Sequence, residues 1–330
     1  MRYLITGGAG FIGSHLTSAL LEAGEQVMAI DDLSTGSFEN IELFSHHSNY
    51  HFAVETILNH AVMDRLVSEC DVVIHLAAAV GVELIVEKPV DVIETNILGS
   101  EMVLKIANRY RRKIFVASTS EVYGKSQQLP FCESDDMVMG PTSKHRWSYA
   151  CSKAIDEFLA LAYYKTYGLP VIIGRFFNTI GPRQTGRYGM VVPRMIGQAL
   201  RGEDLTVYGD GKQTRCFTDV RDVVKALLIL LESNDAIGQV VNIGNDEAIS
   251  IEDLANKIKA KTHSASSIQY IPYSKAYEEG FEDMRHRQPD TTFLEKLTGF
   301  RPRTGLDRIL SEIIDYERER LAKDLRSGSQ

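Results

Sequence analysis

The glycine-rich segment near the start of the chain constrains the fold more than any other feature of the sequence. Gly8, Gly10 and Gly13 follow a short apolar strand predicted over Tyr3–Thr6 and come directly before a predicted helix. Glycines at these positions permit a tight turn and a close approach of the backbone to a diphosphate, and they let the helix pack against the strand. The N-terminus of that helix offers free N–H groups and the positive end of its dipole. We therefore expect a dinucleotide to bind at this turn.

Two acidic residues at the end of the second predicted strand indicate which dinucleotide the turn would hold. Asp31 lies about 20 residues beyond the turn, where a carboxylate can accept hydrogen bonds from the adenosine ribose hydroxyls. Asp32 follows it, and neither has an adjacent arginine, so the 2′-phosphate of NADP would meet like charge. We therefore predict NAD as the cofactor. The residues expected to contact it in this region are Gly7, Gly10, Phe11, Ile12, Gly13, Asp31 and Asp32.

Short apolar or β-branched runs alternate with longer helical stretches through the first half of the chain. The runs that predict strands are Tyr3–Thr6, Gln26–Ile30, Val72–His75, Ile114–Ser118 and Val171–Arg175. This alternation is typical of a parallel sheet wound with helices, and strands so continuous in apolar residues are usually covered on both faces. The sequence therefore predicts an α/β fold with a Rossmann-type doubly wound parallel sheet.

Beyond residue 180 the pattern changes to turns rich in Gly, Pro and Arg and then resumes. It predicts a strand over Gln239–Ile243 and helices over Ile251–Lys261 and Leu306–Leu321. We predict an NAD-binding domain at residues 1–180 and a smaller substrate-binding lobe at residues 181–330. The lobe is expected to be interleaved with the first domain, so the boundary between them is a soft one.

Tyr149 and Lys153 are the candidate catalytic pair. They stand four residues apart at the start of a predicted helix, so their side chains share one face. An ammonium beside a phenol lowers the pKa of the phenol, which would make Tyr149 a general base near neutral pH. Such a pair is more often part of a solvated helix face. The hydroxyls and carboxylate of Thr119, Ser120 and Glu121 favour catalysis, because they follow a predicted strand where open α/β sheets bind ligands.

Several motifs spread along the chain occur together in a known family of enzymes. They are Gly7-Gly8-x-Gly10-x-x-Gly13, Leu76-Ala77-Ala78, Asn96, Thr119-Ser120-Glu121 and Tyr149-x-x-x-Lys153. With these motifs the chain resembles, over nearly its whole length, the extended short-chain dehydrogenases/reductases that modify nucleotide sugars. The resemblance implies that Tyr149 removes the proton of a sugar hydroxyl, usually at C4, while hydride passes to NAD and later returns. It also implies further NAD contacts: Leu76, Ala77, Ala78, Asn96, Tyr149 and Lys153.

Segments of the second half resemble the nucleoside-diphosphate pocket of that family. Arg215 is suited to the diphosphate, because arginine is always charged and matches phosphate oxygens in pairs. Arg183 and Arg187 are as consistent with ordinary exposed arginines as with phosphate ligands. The residues expected to bind the nucleotide sugar are Asn178, Arg183, Val192, Tyr208, Arg215 and Arg287.

A narrower resemblance concerns the reaction. Thr119-Ser120-Glu121, the segment from Lys144 to Tyr149, and His286 to Pro289 are similar to UDP-glucuronate decarboxylases, which include the UDP-xylose synthases. Oxidation at C4 makes the C6 carboxylate a β-keto acid, which loses carbon dioxide readily. On this resemblance Ser120, Glu121 and Arg287 position the carboxylate or O4 and manage proton transfer. The predicted function is therefore decarboxylation of UDP-glucuronate.

Other functions are consistent with the same motifs. Glu121 could be a dehydratase base, although Ser120 stands where related 4,6-dehydratases usually have Asp. A 4-epimerase of UDP-glucuronate or UDP-glucose would share the fold, but more often has a small or hydroxyl residue in place of Glu121. A non-catalytic NAD-sensing regulator would typically lack Tyr149 or Lys153, and a simple alcohol or steroid dehydrogenase would release NADH. The sugar and the nucleotide base stay open.

Composition and charge bear on partners and location. The net charge of −8 argues against nucleic acid, because proteins that bind it present concentrated basic surface. The sequence has no apolar stretch of the ~18 residues that span a bilayer, so no membrane partner is expected. The four cysteines have neither the spacing of a disulfide framework nor that of a zinc site, which favours a cytoplasmic protein.

Metal binding and oligomerisation give two further expectations. His46, His47 and His51 have no acid or cysteine at ligand spacing, so no metal is expected. The run Leu159–Tyr164, on the helix that carries Tyr149, is more apolar than one buried face requires. It is either core or half of a dimer interface, and since the resembling family pairs through a four-helix bundle, a homodimer is expected.

Overall fold

The computed structural model describes residues 1–81, 85, 87–186, 190–276 and 282–327. The strands in this part of the chain are β1 Arg2–Thr6, β2 Gln26–Asp31, β3 Tyr50–Val54, β4 Val72–His75, β5 Lys113–Thr119, β6 Val171–Phe176, β7 Thr179–Ile180, β8 Leu205–Tyr208, β9 Thr214–Cys216, β10 Thr218–Asp219, β11 Val240–Ile243, β12 Ala248–Ser250, β13 Ile268–Ile271 and β14 His286–Arg287.

The α-helices of the same residues alternate with these strands. They are α1 Phe11–Glu22, α2 Phe38–Glu42, α3 His60–Glu69, α4 Pro89–Arg109, α5 Arg146–Tyr167, α6 Val191–Arg201, α7 Val220–Glu232, α8 Ile251–Thr262, α9 Tyr273–Ala276, α10 Thr292–Thr298 and α11 Leu306–Ser327. None of the helices in the described part of the chain combines the length and the apolar character needed to cross a membrane.

A seven-stranded parallel sheet is the centre of the described chain. Its strand order is β11-β6-β5-β4-β1-β2-β3. In the register of the central strands, Ile5 pairs with Ala29 on one side and with Ile74 on the other. The predicted Rossmann-type doubly wound sheet is confirmed, and the five strands predicted in the first half are correct to within one residue at each end.

Helices cover both faces of this sheet, because successive residues of a strand point to opposite faces. On one face Ile5 packs in a cluster with Leu16 of α1 and Leu227 of α7. On the other face Leu4 packs in a cluster with Val103 of α4, to which α3 and α5 also contribute. Each such side chain, fully buried, contributes about 1.5–3 kcal/mol of hydrophobic stabilisation.

The second half of the chain builds a separate apolar cluster and also completes the central sheet. Met195 of α6, Leu254 of α8 and Ile313 of α11 pack together in that cluster. Strand β11, however, pairs with β6 at the edge of the central sheet. The second half therefore contributes a strand to the central sheet, and the division into a domain at residues 1–180 and an interleaved lobe at residues 181–330 stays a prediction.

The topology of the sheet determines where a ligand can bind. The chain leaves β1 toward β2 on one side, and β4 then pairs on the other side of β1. A crevice forms at the carboxyl ends of strands where the strand order reverses in this way. The residues that end β1, β2, β4 and β5 there are Thr6, Asp31, His75 and Thr119.

Candidate active site

The glycine turn between β1 and α1 is too crowded for side chains. Gly7 has a φ of 74°, which glycine adopts without strain, and a Cβ at that position would lie 2.8 Å from Ala77 N. A Cβ on Gly13 would collide with the carbonyl oxygen of Gly7. Helix α1 begins at Phe11 after Gly10, and within the described residues no side-chain hydrogen bond caps this end. The first N–H groups of α1 are therefore available to a diphosphate.

Asp31 is held beside this turn by backbone donors. Its Oδ2 accepts a hydrogen bond from Ala9 N at 3.0 Å, and its Oδ1 accepts one from Leu33 N at 2.9 Å. Burial raises the pKa of the Asp31 carboxyl, and the two backbone hydrogen bonds oppose the increase. Asp32 is exposed, and its Oδ1 accepts a hydrogen bond from Ser34 N at 2.9 Å. The structure thus fixes Asp31 at the turn and leaves Asp32 toward solvent.

The loop after β4 borders the glycine turn and is tied to α5. Backbone atoms of residues 76 and 77 lie next to Gly7. Asn96 of α4 is buried, and its Oδ1 accepts a hydrogen bond from Ala79 N at 2.8 Å while its Nδ2 donates to Ser152 Oγ at 3.2 Å. The predicted cofactor contacts 76–78 therefore follow a loop at the turn, and Asn96 bridges that loop to α5.

Tyr149 and Lys153 lie one turn apart on α5, and both are buried. Lys153 Nζ donates a hydrogen bond to Asp156 Oδ2 at 2.8 Å. Burial raises the pKa of Tyr149 and the Glu121 carboxylate raises it further, whereas a hydrogen bond with Thr119 lowers it. The pKa of Tyr149 is therefore raised overall, against the expected net lowering, because burial of the phenol dominates and Lys153 is paired with Asp156.

Glu121 lies between two guanidinium groups. It belongs to the 3-10 helix Ser120–Tyr123 that follows β5. Arg146 Nη1 donates to Glu121 Oε2, and Arg287 Nη1 donates to Glu121 Oε1 at 3.2 Å. Burial acts to raise the pKa of the Glu121 carboxyl, but the charges of Arg146 and Arg287 outweigh burial and hold the pKa below its usual range. Glu121 is therefore an anion that can accept a proton or a hydrogen bond.

Asp283 joins these arginines to Arg215. Its Oδ2 accepts a hydrogen bond from Arg215 Nη2 at 2.8 Å, and its Oδ1 lies 3.6 Å from Arg287 Nη2 and 4.0 Å from Arg146 Nη2. Despite burial, these guanidinium groups hold the pKa of Asp283 below its usual range. We call the set the charge cluster: Glu121, Arg146, Arg215, Asp283 and Arg287.

One cavity brings much of the charge cluster together with Tyr149. The predicted site residues that line it are Glu121, Tyr149, Asn178, Val192, Tyr208, Arg215 and Arg287. Two further predicted site residues, Ser120 and Lys153, are almost completely buried and are not among the described residues that line the cavity. The cavity therefore has a cationic and carboxylate-bearing end at Tyr149 and continues between α6 and β8 to Tyr208.

Arg183, which was expected at the nucleotide, is not among the described residues around this cavity. Arg183 turns back toward α1, where its Nη1 donates to Ser14 O at 3.1 Å and to Ser18 Oγ at 3.2 Å. These hydrogen bonds join α1 to the loop after β7, which explains why Arg183 lies apart from the other predicted substrate contacts. Arg187 lies outside the described residues.

Sequence reasoning missed Arg146 and Asp283 as members of the site. Arg146 precedes Tyr149 by three residues, a spacing that places both on one face of α5, so its position was readable from the helix pattern. Asp283 precedes Arg287 by four residues but lies in a loop, where that spacing carries no such meaning. Its place in the cluster follows only from the folded chain.

Fold and site together define the class of protein. In the doubly wound parallel sheet, a glycine turn follows β1, and β2 ends in a carboxylate suited to the hydroxyls of a ribose. A tyrosine and a lysine follow on one helix next to the cavity. This combination is that of an extended short-chain dehydrogenase/reductase.

Comparison with known proteins identifies the family. The family described as GDP-mannose 4,6 dehydratase matches residues 4–313, and the chain belongs to it. The chain is 44% identical to the UDP-N-acetyl-alpha-D-glucosaminuronate decarboxylase of Bacillus cytotoxicus over 96% of this chain and 98% of the relative. It is 38% identical to UDP-glucuronic acid decarboxylase 1 of Danio rerio over 96% of this chain and 72% of the relative.

The fold is also similar to solved structures of this group. The structure of UDP-glucuronic acid 4-epimerase from Bacillus cereus, in complex with UDP-glucuronic acid and NAD, superposes with a TM-score of 0.86 at 31% identity. The match covers 97% of this chain and 99% of the other. The resemblance read from the sequence motifs is thereby confirmed.

Proposed function

We propose that the chain is an NAD-dependent decarboxylase of a UDP-linked hexuronic acid. The observation that carries this proposal is the ionised Glu121 held between Arg146 and Arg287, in the cavity that also contains Tyr149. Guanidinium groups bind carboxylates with charge-assisted hydrogen bonds, so a sugar acid fits this end of the cavity better than a neutral sugar. The decarboxylases at 44% and 38% identity support the same assignment.

NAD fits the residues at the carboxyl ends of β1 and β2. The uncapped start of α1 can hold the diphosphate, and Asp31, fixed by Ala9 N and Leu33 N, can accept hydrogen bonds from the ribose hydroxyls. Lys153 is the positively charged side chain that we predict to contact NAD. Bound there, NAD would supply the acceptor, and later the donor, of the hydride at C4 of the sugar.

The chain itself supplies the proton chemistry and the recognition of the acid. Tyr149 accepts the proton of the sugar 4-hydroxyl as hydride leaves C4, and the loss of both leaves a ketone at C4 and makes the C6 carboxylate a β-keto acid. The C5–C6 bond then breaks, carbon dioxide leaves, and its bonding electrons form an enolate. Arg287 and Ser120 orient the sugar carboxylate and O4. Glu121 relays the proton that C5 of the enolate takes up. Further along the cavity, Arg215, which joins the charge cluster through Asp283, and Tyr208 hold the nucleotide.

The substituent at C2 of the sugar separates two candidate substrates. The sequence motifs favour UDP-glucuronic acid, and the relative from Danio rerio is named for that substrate. The relative at 44% identity is named for the N-acetylated sugar acid. We therefore propose UDP-glucuronic acid and UDP-N-acetylglucosaminuronic acid as the pair to be compared.

We also propose that the enzyme works as a homodimer through α4 and α5. In the run Leu159–Tyr164, Leu159 and Leu161 pack against the apolar core. Exposed apolar side chains lie on α5 at Ile155, Phe158 and Tyr164 and on α4 at Val90 and Leu98. Because α4 and α5 pack side by side, a second copy could cover these side chains with the same two helices.

The decisive experiment incubates the purified protein with NAD and each of the two UDP-linked sugar acids. We expect release of carbon dioxide and a UDP-pentose or its 2-acetamido counterpart, identified by mass and NMR, without accumulation of NADH. A product of unchanged mass would instead establish a 4-epimerase. NADH released in stoichiometric amounts would indicate a simple dehydrogenase, and NAD binding without turnover of any UDP-sugar would favour a regulator.

Two tyrosine variants test the assigned base. Tyr149→Phe removes the hydroxyl and should lower turnover by roughly 10²–10⁴-fold while NAD still binds. Tyr167→Phe, at an exposed position of the same helix, is the matched control and should leave turnover unchanged. Full activity in Tyr149→Phe would contradict the proposed role of Tyr149.

A further inference from the structure

Lys153 has a carboxylate partner of its own, Asp156, three residues further along α5. Lys153 Nζ lies 2.8 Å from Asp156 Oδ2, and both side chains are shielded from solvent. A buried ammonium beside a carboxylate loses much of its field at a distance, because the two charges partly cancel. The charge that Tyr149 experiences from Lys153 therefore depends on Asp156.

A chain of hydrogen bonds leads from the neighbouring elements to Ser100, which acts on Asp156. Ala77 N donates to Thr6 Oγ1 at 3.2 Å, so that hydroxyl can donate to His75 Nδ1, 2.8 Å away. The Nε2–H of His75 then donates to Ser100 Oγ at 3.1 Å, and the Ser100 hydroxyl acts to lower the pKa of Asp156. The chain thus runs from the end of β1, through β4, to Ser100 on α4, whose hydroxyl acts on the carboxylate that pairs with Lys153 on α5.

We propose that Asp156 is a positioning residue that, through Lys153, sets the pH range in which Tyr149 can accept the proton of the substrate. This inference rests on the proposed function, in which Tyr149 is the base. Burial raises the pKa of Asp156, and the charge of Lys153 opposes the increase. As the ion-pair partner of Lys153, the Asp156 carboxylate holds the ammonium in place and makes Tyr149 a weaker acid than Lys153 alone would make it.

The charges around both groups support this assignment. Besides burial and Glu121, Asp156 itself raises the pKa of Tyr149, and Arg146 opposes it. On the Asp156 side, Ser100 of α4 is neutral, and burial followed by the charge of Lys153 lowers the pKa of His75 of β4 to about 3, so His75 is neutral as well.

Glu157 is the remaining anion beside Asp156, and it has a cation of its own. Arg175 Nη2 of β6 donates to Glu157 Oε2 at 2.7 Å, and Ser118 Oγ of β5 donates to Glu157 Oε1. Its charge is therefore compensated locally. Among the described residues, Asp156 is left as the carboxylate whose partner is Lys153.

The test is the pH dependence of turnover in Asp156→Asn, with whichever UDP-sugar acid the wild type converts. Loss of the negative charge favours the phenolate, so the midpoint of the acidic limb should move to lower pH by roughly 0.5–1 unit. Asp156→Glu, which keeps the charge, should return the midpoint toward the wild-type value. Asp235→Asn, at an exposed position, is the matched control and should shift nothing.

A purely structural role predicts a different result. It would lower turnover by the same factor at every pH and leave the midpoint unmoved, and that outcome, or a shift to higher pH, would overturn the inference. Should Asp156→Asn fold poorly, Ser100→Ala is the second variant. It removes the hydroxyl that acts to lower the pKa of Asp156, so less of the carboxylate is ionised, and a smaller shift in the same direction is expected.

A measurement without turnover separates this inference from the proposed function. Tyrosine labelled with ¹³C at Cζ reports ionisation of the phenol by NMR in the NAD complex, with the Tyr149 signal assigned by its loss in Tyr149→Phe. The Tyr149 midpoint should be lower in Asp156→Asn than in the wild type, even if neither UDP-sugar acid is converted. An unchanged midpoint would reject the role of Asp156 while leaving the proposed function intact.

Discussion

At the scale of single residues, the site depends on a buried ion pair that the motifs do not contain. Arg146 and Glu121 are separated by 25 residues, and Glu121 and Arg287 by 166, yet the three side chains meet in one cluster. Taking charges out of water costs several kcal/mol per ion, so such a cluster is maintained only while every charge keeps its partners.

Arg146→Met should therefore destabilise the fold more than an ordinary substitution. It leaves Glu121 with Arg287 as its remaining guanidinium partner in the cluster, and we expect a loss of about 3–5 kcal/mol in the free energy of unfolding, measured with urea. Adding Glu121→Gln to this variant should recover part of the loss, because the buried charge is removed with its partner. Arg285→Met breaks an exposed pair with Asp210 and should cost no more than about 1 kcal/mol.

The same contrast explains how much of the site could be predicted from the sequence. Tyr149, Lys153 and Glu121 occur in short motifs with local meaning, and the structure brings Tyr149 and Glu121 to one cavity. The place of Asp283 could not be foreseen, since it depends on how a loop packs in the folded chain. The pairing of Lys153 with Asp156, three residues apart on one helix, was readable from the helix spacing but was not used. The expected net lowering of the pKa of Tyr149 was wrong, because burial of the phenol raises that pKa.

At the scale of elements, the buried strands and the edge strand β11 were predicted well, whereas β3, at the opposite edge, was missed. The runs that form β1, β4 and β6 are continuously apolar because both faces of each strand are covered. Strand β3 pairs with β2 at the sheet edge, and its burial alternates with exposed positions at His51 and Val54. Because β3 is short and mixes polar with apolar residues, its sequence has no continuous apolar run from which a strand could be predicted.

The paired helices α4 and α5 carry the prediction about assembly. Phe158 is 63% exposed on α5, and Phe158→Asp should convert a dimer to a monomer in sedimentation or light scattering, because a carboxylate would be buried in the interface. Phe38→Asp changes a side chain that is 61% exposed on α2 and should leave the dimer intact. A wild-type monomer, or dissociation by both substitutions, would argue against this interface.

At the scale of the whole molecule, buried histidines make folding stability depend on pH. Burial, followed by the charge of Lys153, lowers the pKa of His75 to about 3, and burial lowers the pKa of His15 to about 4. The unfolded chain takes up these protons below about pH 6.5, whereas the folded chain does so only near pH 3–4. The contribution of these two neutral histidines to the free energy of unfolding is therefore fully present above pH 6.5 and decreases as the pH falls toward 3.

This dependence can be measured with urea at pH 7 and pH 5. At pH 5 His75 alone should account for roughly 2 kcal/mol of lost stability, since the pH lies about 1.5 units below the unfolded pKa. His75→Asn should weaken the pH dependence by about that amount, even if it lowers stability at pH 7. His46→Asn, at an exposed position, should follow the wild type, and equal slopes in all three proteins would contradict the account.

The position of β11 at the end of the sheet has a consequence for the order of events during synthesis. Until Val240–Ile243 has left the ribosome, β6 is the outermost strand, and its backbone groups and apolar side chains have no neighbour on that side. An open parallel edge of this kind is a template for pairing with another nascent chain. Synthesis of β11 therefore determines when this edge of the central sheet is covered and protected from aggregation. Chains that stop before residue 240 should depend on chaperones.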